Sequence, residues 1–290
     1  MSAPPTVGVV VLTQGRRSAD LDRAIRSVAA QVGVVPDVVV VGNGWQPVGL
    51  PAGVRGHGLP ANLGIPAGRN AGVPLVGGDL VLFLDDDATL ADQGFLAEAV
   101  RRFADEPALG LLQPRVDGPG GVPGPRRWTP RMRVGDRRRS SPVFSVWEGA
   151  VVVRRSVFER TGGWPAPFFY AHEGIELAWR VWDAGAVVRY AGDLAAEHPL
   201  TVTTRHRDFY RLNARNRVWL ARRNLPWVVG MPYVLTWTAL QVVRSVRSPA
   251  TLVPWFRGWL EGWRTDAGPR RPLRWGTIAR MTRHGRPPVV

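Results

Sequence analysis

Cysteine is absent from the 290 residues, and so is lysine, because all 38 basic side chains are arginine. The first absence removes a disulfide framework, thiolate zinc or iron–sulfur sites and a catalytic thiol, which leaves carboxylates, histidines and backbone groups for any chemistry. The second fits the coding bias of a GC-rich genome better than a functional demand. Acids are scarce in one region only: residues 1–200 hold 21 Arg against 20 acids, whereas residues 201–290 hold 17 Arg against 3. The formal net charge of +15 therefore belongs almost wholly to the last third. No secretory leader is expected, since Met1 to Pro5 lacks a charged segment and the first apolar run, residues 7–12, is only strand length. Folding is expected to begin in the cytoplasm. What is present is 45% apolar content, enough for a real core, which excludes disorder, collagen-like repeats and coiled coils.

Short β-branched runs alternate with helical patterns over residues 6–113, the signature of a parallel sheet flanked by helices. Residues 7–12 form the expected first strand. Ser18 is a candidate N-cap for a helix that places Leu21, Ile25, Val28 and Val32 on one face. Residues 38–41 form a continuous apolar run suited to a strand buried on both faces. Residues 80–84 give a further strand ending in Asp85, Asp86 and Asp87, residues 90–103 a helix, and residues 109–112 a return to the sheet. Between 114 and 142 the pattern breaks: six Pro, five Gly and eight Arg among these residues predict a long loop whose arginines suit an anionic ligand. Strand pattern resumes at 146–153, followed by short helix 156–161, helix 173–183, strand 187–190 and an arginine-rich helix over 209–224.

The sharpest local feature is LVLFLDDD, a buried strand delivering three carboxylates at its C-terminal end, where open α/β sheets bind ligands. Strand alternation would aim Asp85 and Asp87 one way and Asp86 the other. Two hard oxygen ligands on one side suit Mg²⁺ or Mn²⁺ bridging a diphosphate; the other reading is a solvated acidic turn capping the next helix. Upstream, Asn62-Leu63-Gly64 and the segment from Ala67 to Gly72 form a Gly-rich helix entry that, with Arg69, could bind an anion.

Taken in order, a Thr-ended first strand, a second strand followed by Asn-Gly, NLGIPAGRNAG, LDDD, RRSVFERTGGWP and FFYAHEGIELAWR resemble a family 2 glycosyltransferase of the GT-A fold. The resemblance covers roughly residues 6–200. It implies an α/β, Rossmann-like GT-A domain with a mixed, mainly parallel sheet flanked by helices, and leaves residues 201–290 as a helical basic extension. It also implies that Thr13 and the turn at Asn43 cradle the nucleotide, that Arg69, Asn70 and Asp85 lie on the nucleotide side, and that Asp85 and Asp87 hold a divalent metal, Mn²⁺ or Mg²⁺. Many members carry Asp where this chain has Gly42, so the donor base stays open. His198, in AEHP, resembles the histidine that closes the metal site in several relatives; a structural role is the other reading.

In the family an acidic pair at a helix start supplies the general base for an acceptor hydroxyl. Here Glu173 remains and the next position is Gly174, which makes Glu173 the expected base. Glu176 stands four residues before Arg180, at ion-pair spacing on a helix. His172, Trp147, Glu148 and Trp164 are candidates for acceptor contact, with buried core tryptophan as the bland alternative. The expected activity is inverting, metal-dependent transfer of a sugar, of hexosyl or rhamnosyl type, from a nucleotide-diphosphate sugar to a hydroxyl of a cell-envelope glycan or lipid-linked acceptor. A sugar-nucleotide nucleotidyltransferase and a degenerate GT-A binding protein are the rivals.

Seven of the thirteen Trp fall in residues 201–290 together with the arginine excess, a combination selected by an anionic bilayer surface. Residues 225–243 carry no formal charge, but Pro226, Gly230, Pro232, Thr236, Thr238 and Gln241 interrupt them. They predict either a shallow interfacial or re-entrant helix or an apolar helix packed on the domain. Peripheral association with the inner face of the cell membrane follows as an expectation. Arg215 or Arg217 could instead meet the donor diphosphate. Nucleic acid is a poor candidate partner, because no nucleic-acid-binding motif accompanies the charge.

Overall fold

A computed structural model describes residues 3–130, 135–200 and 208–284. Strand β1 (Thr6–Thr13), helix α1 (Ser18–Ala29), strands β2 (Val35–Asn43) and β3 (Val54–Leu59), helix α2 (Ile65–Gly72) and strand β4 (Leu80–Asp85) form the first half of the fold. Strand β5 (Thr89–Leu90), helix α3 (Phe95–Asp105), strands β6 (Leu109–Asp117), β7 (Ser141–Pro142) and β8 (Ala150–Arg154), helices α4 (Arg155–Thr161) and α5 (Glu173–Asp183) and strand β9 (Val187–Glu197) complete the sheet layer. Helices α6 (Phe209–Asn224), α7 (Trp227–Arg244), α8 (Leu252–Arg264) and α9 (Trp275–His284) follow.

The sheet order is β3-β2-β1-β4-β8-β6-β9-β5, with β7 added on β9. Pairs β1–β2, β1–β4, β2–β3 and β6–β9 are parallel, whereas β8 runs antiparallel to β4 and β6. The order reverses at β1, because the chain first steps outward to β2 and then returns to the other side at β4. Such a switch point opens a crevice beyond the strand ends. Thr13 and Asp85 end the two strands that flank it.

Both sheet faces are covered. Val7, Val9, Val11, Leu82 and Leu84 pack with α1 and α3 on one face, and Val10, Leu12, Phe83 and Val151 pack with α4 and α5 on the other. The second cluster continues into α6, α7 and α9 through Val218, Leu220, Tyr233, Ile278 and Met281. Helix α8 lies tight on α6 because a side chain at Gly262 would stand 2.7 Å from Val218 and 2.9 Å from the Arg215 carbonyl.

Several sequence expectations shift. Ser18 opens α1 instead of capping it, with Arg17 at the cap and no side-chain cap bond, and Val32 lies past the helix end, 56% exposed. The helix expected from 90 starts at Phe95, after Leu90 pairs with Ala196 in β5. Residues 114–117 prolong β6 and 141–142 pair with β9, so the long loop is shorter than its composition suggests. Its arginines are partly consumed internally: Arg115 and Arg137 both pair with Asp117. Arg131 and Arg133 lie outside the described residues.

Candidate active site

Strand β4 ends at Asp85, so Asp86 and Asp87 lie in a turn, and the strand alternation expected of the acids does not set their directions. The turn does. The Asp85 carbonyl accepts from the Ala88 amide at 3.1 Å, while Asp86 turns back to β1 and accepts from the Thr13 hydroxyl at 2.6 Å. Asp85 and Asp87 meet His198, just past β9, with one ligand atom from each lying within 4.8 Å of the others. His198 Nδ1 faces the Pro199 carbonyl at 2.7 Å, which turns Nε2 toward Asp87 at 3.1 Å. The rings of Trp128 and Trp147 stand edge-on to the imidazole, each at 5.0 Å.

Two carboxylates and an imidazole converging on one point are a donor set that a hard divalent cation accepts. The residues present therefore fit the metal that the family resemblance implies. Their charges are balanced meanwhile by neighbours. Arg17 reaches Asp86 at 2.5 Å and also contacts Asp87. Burial opposes charge on Asp87, yet the hydrogen bond and charge of His198 and the charge of Arg17 win and hold its carboxyl below the usual range. Burial likewise favours a neutral His198, but its bond to Asp87 and that carboxylate's charge raise its pKa. Asp86 is pushed up to about 6 by burial, against the pull of Thr13 and Arg17.

Within electrostatic reach of Asp85 and Arg69 lies a second acidic group. Glu173 opens α5 and is 3% exposed, with Oε2 left unpartnered. Burial first, then the neighbouring Glu148 carboxylate, push its acid up to about 8, while Arg69 pulls the other way. Glu148 is raised as well, mainly by burial, and its Oε1 accepts from the Gly174 amide at 2.8 Å. A side chain at 174 would stand 2.5 Å from that same oxygen and from the Val146 carbonyl. The second carboxylate at the helix start thus comes from residue 148 and takes the space that an acid at 174 would need.

Arg69 links the two groups. It is 1% exposed, donates to Asp85 at 2.7 Å, lies over the Trp164 ring at 5.0 Å, and leaves Nε and one Nη unpartnered. Tyr170, which sequence reasoning passed over although it stands three residues before Glu173, also belongs here. Burial and the charges of Glu173, Glu148 and Asp85 push its phenol up to about 12.

Other expected site residues are committed elsewhere. Both ends of the Asn70 amide bond the Trp164 backbone at 2.9 Å, which makes Asn70 a staple between α2 and the turn after α4. Asn43 is 4% exposed, accepts from Leu63 N and donates to the Gly64 carbonyl, so it shapes the loop ahead of α2. The Thr13 hydroxyl is spent on Asp86 and on the Gly15 amide at 3.0 Å. Trp164 is 1% exposed against Phe83 and Phe158, a core position that removes it from acceptor contact. His172 turns to α6, where Asn213 hydrogen-bonds it, and burial and Arg217 depress its pKa well below the usual value. The start of α2 is not a free anion site, because the Ile65 amide donates to the Phe169 carbonyl at 2.8 Å. Glu176 is an ion-pair residue as its spacing suggested, but with Arg223 at 2.7 Å in place of Arg180. Arg215 binds the Phe168 carbonyl and stacks on Trp219, and Arg217 binds Tyr233 and stacks on Trp237, so both serve the helical packing.

Asn216 is the residue whose importance the sequence concealed. Its amide nitrogen donates to the carbonyls of Phe168, Tyr170 and Ala171 at 2.9, 2.7 and 2.9 Å. That loop holds three non-glycine residues at positive φ, Phe169 at 65°, Ala171 at 73° and His172 at 70°. Each such conformation costs about 1–3 kcal/mol and persists only where surroundings enforce it. Asn216 and the close approach of Gly64 to the Phe169 backbone, where a Cβ would stand at 2.6 Å, enforce it here.

A mixed, mainly parallel sheet with an acid cluster at its switch point agrees with the GT-A fold that the solved glycosyltransferases below share. The chain belongs to glycosyl transferase family 2, whose model matches residues 9–162. It is 32% identical over 139 residues to the pre-mycofactocin glycosyltransferase of Mycobacterium tuberculosis, a match spanning 45% of this chain and 29% of that relative's length. GalNAc-T7, solved with UDP, GalNAc and Mn²⁺, superposes with a TM-score of 0.66 at 14% identity, covering 98% of this chain and 59% of that one. The mannosyltransferase PcManGT from Pyrobaculum calidifontis, solved with GDP-Man and Mn²⁺, gives 0.56 at 16%, with 90% and 70% covered. S. aureus TarS gives 0.54 at 15%, with 74% and 65% covered.

Proposed function

We propose that the protein is an inverting transferase that moves a sugar from a nucleotide-diphosphate donor to a hydroxyl of a cell-envelope glycan or lipid-linked acceptor, working against the inner face of the membrane. The observation that supports this reading is two acid groups joined through Arg69: Asp85, Asp87 and His198 at the end of β4 and β9, and Glu173 and Glu148 at the start of α5. Asp85, Asp87 and His198 would hold a divalent cation, which when bound would supply charge compensation for a departing diphosphate.

In this reading the chain's own groups do the rest. Glu173 Oε2, buried and unpartnered, accepts the proton of the acceptor hydroxyl as that oxygen attacks the anomeric carbon from the side opposite the leaving group. A raised pKa makes it a strong base once ionised. Burial first and then Glu148 keep it raised, while the Arg69 charge works against the rise. The free donors of Arg69 are available to the oxygens of the bound sugar. Trp147, half-buried against His198, forms one wall of the crevice and offers a ring face to the acceptor.

The reading is tested by release of nucleoside diphosphate from a panel of UDP, GDP and TDP sugars with Mn²⁺, Mg²⁺ or EDTA, the anomeric configuration of the product being read by NMR. Inversion with metal-stimulated release is expected. Pyrophosphate release from a nucleoside triphosphate would replace the reading with nucleotidyl transfer, and no turnover with any donor would leave a binding protein.

A further inference from the structure

Helix α7 is apolar on both sides. Gly230, Tyr233 and Val234 are buried on its inner side, and the polar residues that interrupt its sequence are bonded locally: the Thr238 hydroxyl donates to the Val234 carbonyl at 2.8 Å and the Gln241 amide to Ser245 at 2.9 Å. The outward side is apolar. Val228 is 72% exposed, Leu235 60%, Val243 68% and, just past the helix, Val246 75%, with Met231 and Val242 also exposed between them. At 100° per residue these positions fall on one side of the helix, a single stripe along about 27 Å. Helix α8 adds Val253, Phe256 and Leu260 on the side turned away from Gly258 and Gly262, which lie against α6. An exposed apolar stripe of this length marks a place of contact.

The charges around it choose the occupant. Arg247, Arg257 and Arg264 are exposed in the same region, and Arg244 lies over the Trp237 ring on the inner side of α7. All three acids of the last third are engaged elsewhere: Asp208 with Arg211, Glu261 with Arg211 and Arg215, and Asp266 with the Gly268 amide. Exposed Trp227, under the Arg270 guanidinium at 4.7 Å, and exposed Trp275 lie at the margins. A second copy of the chain would bring arginine against arginine, and nucleic acid would leave the aliphatic stripe in water. An anionic bilayer satisfies both parts, with guanidinium groups on phosphate and valine and leucine among the acyl chains. No helix among the described residues is long and apolar enough to cross a membrane, which limits the contact to the interface.

We infer that the outer faces of α7 and α8 dock the protein in the plane of an anionic lipid surface. The placement deepens the proposed transfer to a lipid-linked acceptor and rests on that reading for its purpose, though not for its physics. Helix α6, on which α7 and α8 pack, carries Asn216, the residue that pins the loop before Glu173. The docking face therefore belongs to the acceptor half of the molecule.

The test is co-sedimentation of the full chain, without donor or metal, with vesicles of phosphatidylcholine alone and of two parts phosphatidylcholine to one part phosphatidylglycerol. Binding to the anionic vesicles, weakened but not abolished by salt, is expected. The double variant Leu235→Asp, Val243→Asp should partition about tenfold less or weaker still. Its melting temperature and its turnover with a soluble acceptor should be unchanged, because both side chains are exposed and far from the acids. Absence of wild-type binding, equal binding by the variant, or a wild-type dimer that the variant converts to monomer would each overturn the inference. Vesicle binding and donor turnover are separate readouts, so loss of one leaves the other reading standing.

Discussion

Glu173→Gln keeps the shape of the side chain at the start of α5 and removes its titration. In the wild type, burial and the Glu148 charge move this acid from 4.5 to about 8. Between those values the native state holds a proton that the unfolded chain has released, so stability falls as pH rises through the window and the loss is complete above it. At about 1.4 kcal/mol per tenfold, the window corresponds to on the order of 3–5 kcal/mol. Gln carries no such loss. The variant should therefore melt close to wild type near about pH 5 and well above it near about pH 9, by on the order of 5–8 °C for a chain of this length. Scanning calorimetry in EDTA measures the difference at both pH values without a bound cation. The same substitution removes the proposed base, and transfer should fall by about 10²–10⁴-fold while donor binding persists. A melting difference that is the same at both pH values would refute the argument that a buried, charge-crowded acid occupies position 173. An undiminished rate would move the base to Glu148.

Arg17 balances Asp86 and Asp87, so it competes with any cation there. Arg17→Ala should increase the apparent affinity for Mn²⁺, read as a lower half-saturating concentration in nucleotide release, and unaltered or weaker saturation would argue against a shared site. Asn216→Ala removes this donor from the Tyr170 and Ala171 carbonyls, while the Phe168 carbonyl keeps Arg215. It should cost about 2–4 kcal/mol of stability and lower kcat more than it raises the donor KM, since the loop it releases carries Glu173 and not the β4 acids; a change in KM alone would contradict this.

How far the sequence exposed this site depends on the range of the forces involved. The bounds of α5 and α6 followed from helical spacing alone and agree with the structure residue for residue, and β4 was visible because a strand buried on both faces needs a continuous apolar run. Strand β3 was invisible: it is an edge strand with Gly56 and Gly58 inside and no buried residue, so neither periodicity nor β-branching announces it. The acids at 85–87 were legible as a cluster, but their directions are set by Thr13, Arg17 and His198, which are distant in the chain. Asn43, Asn70 and Asn216 illustrate the same limit. An asparagine amide that braces a remote loop carries no local pattern, and only the fold shows which carbonyls it serves. Trp164 looked like a sugar platform because a Gly-Gly-Trp-Pro turn sits on the surface in most settings; here Phe83, Phe158 and Arg69 enclose it.

The Gly174 position tests whether the paired carboxylates are a property of the sequence motif or of the space. If the motif governed, Gly174→Asp would supply an acid beside Glu173 and raise the rate. The space says otherwise, because a Cβ at 174 would stand 2.5 Å from the Glu148 carboxylate and from the Val146 carbonyl, and the Gly174 amide already serves Glu148. The substitution should therefore evict Glu148, cost about 1–3 kcal/mol through overpacking, and lower transfer. Combining it with Glu148→Ala relieves the clash with the side chain but not with the backbone carbonyl. The double variant should thus recover part of the melting temperature, with a coupling of about 0.5–3 kcal/mol, while gaining nothing in rate over Glu148→Ala alone. Additive melting shifts, or a Gly174→Asp single variant faster than wild type, would mean that residues 148 and 174 do not contend for one place, and the acid delivered by the β8 entry would lose its claim to stand in for the one missing from α5.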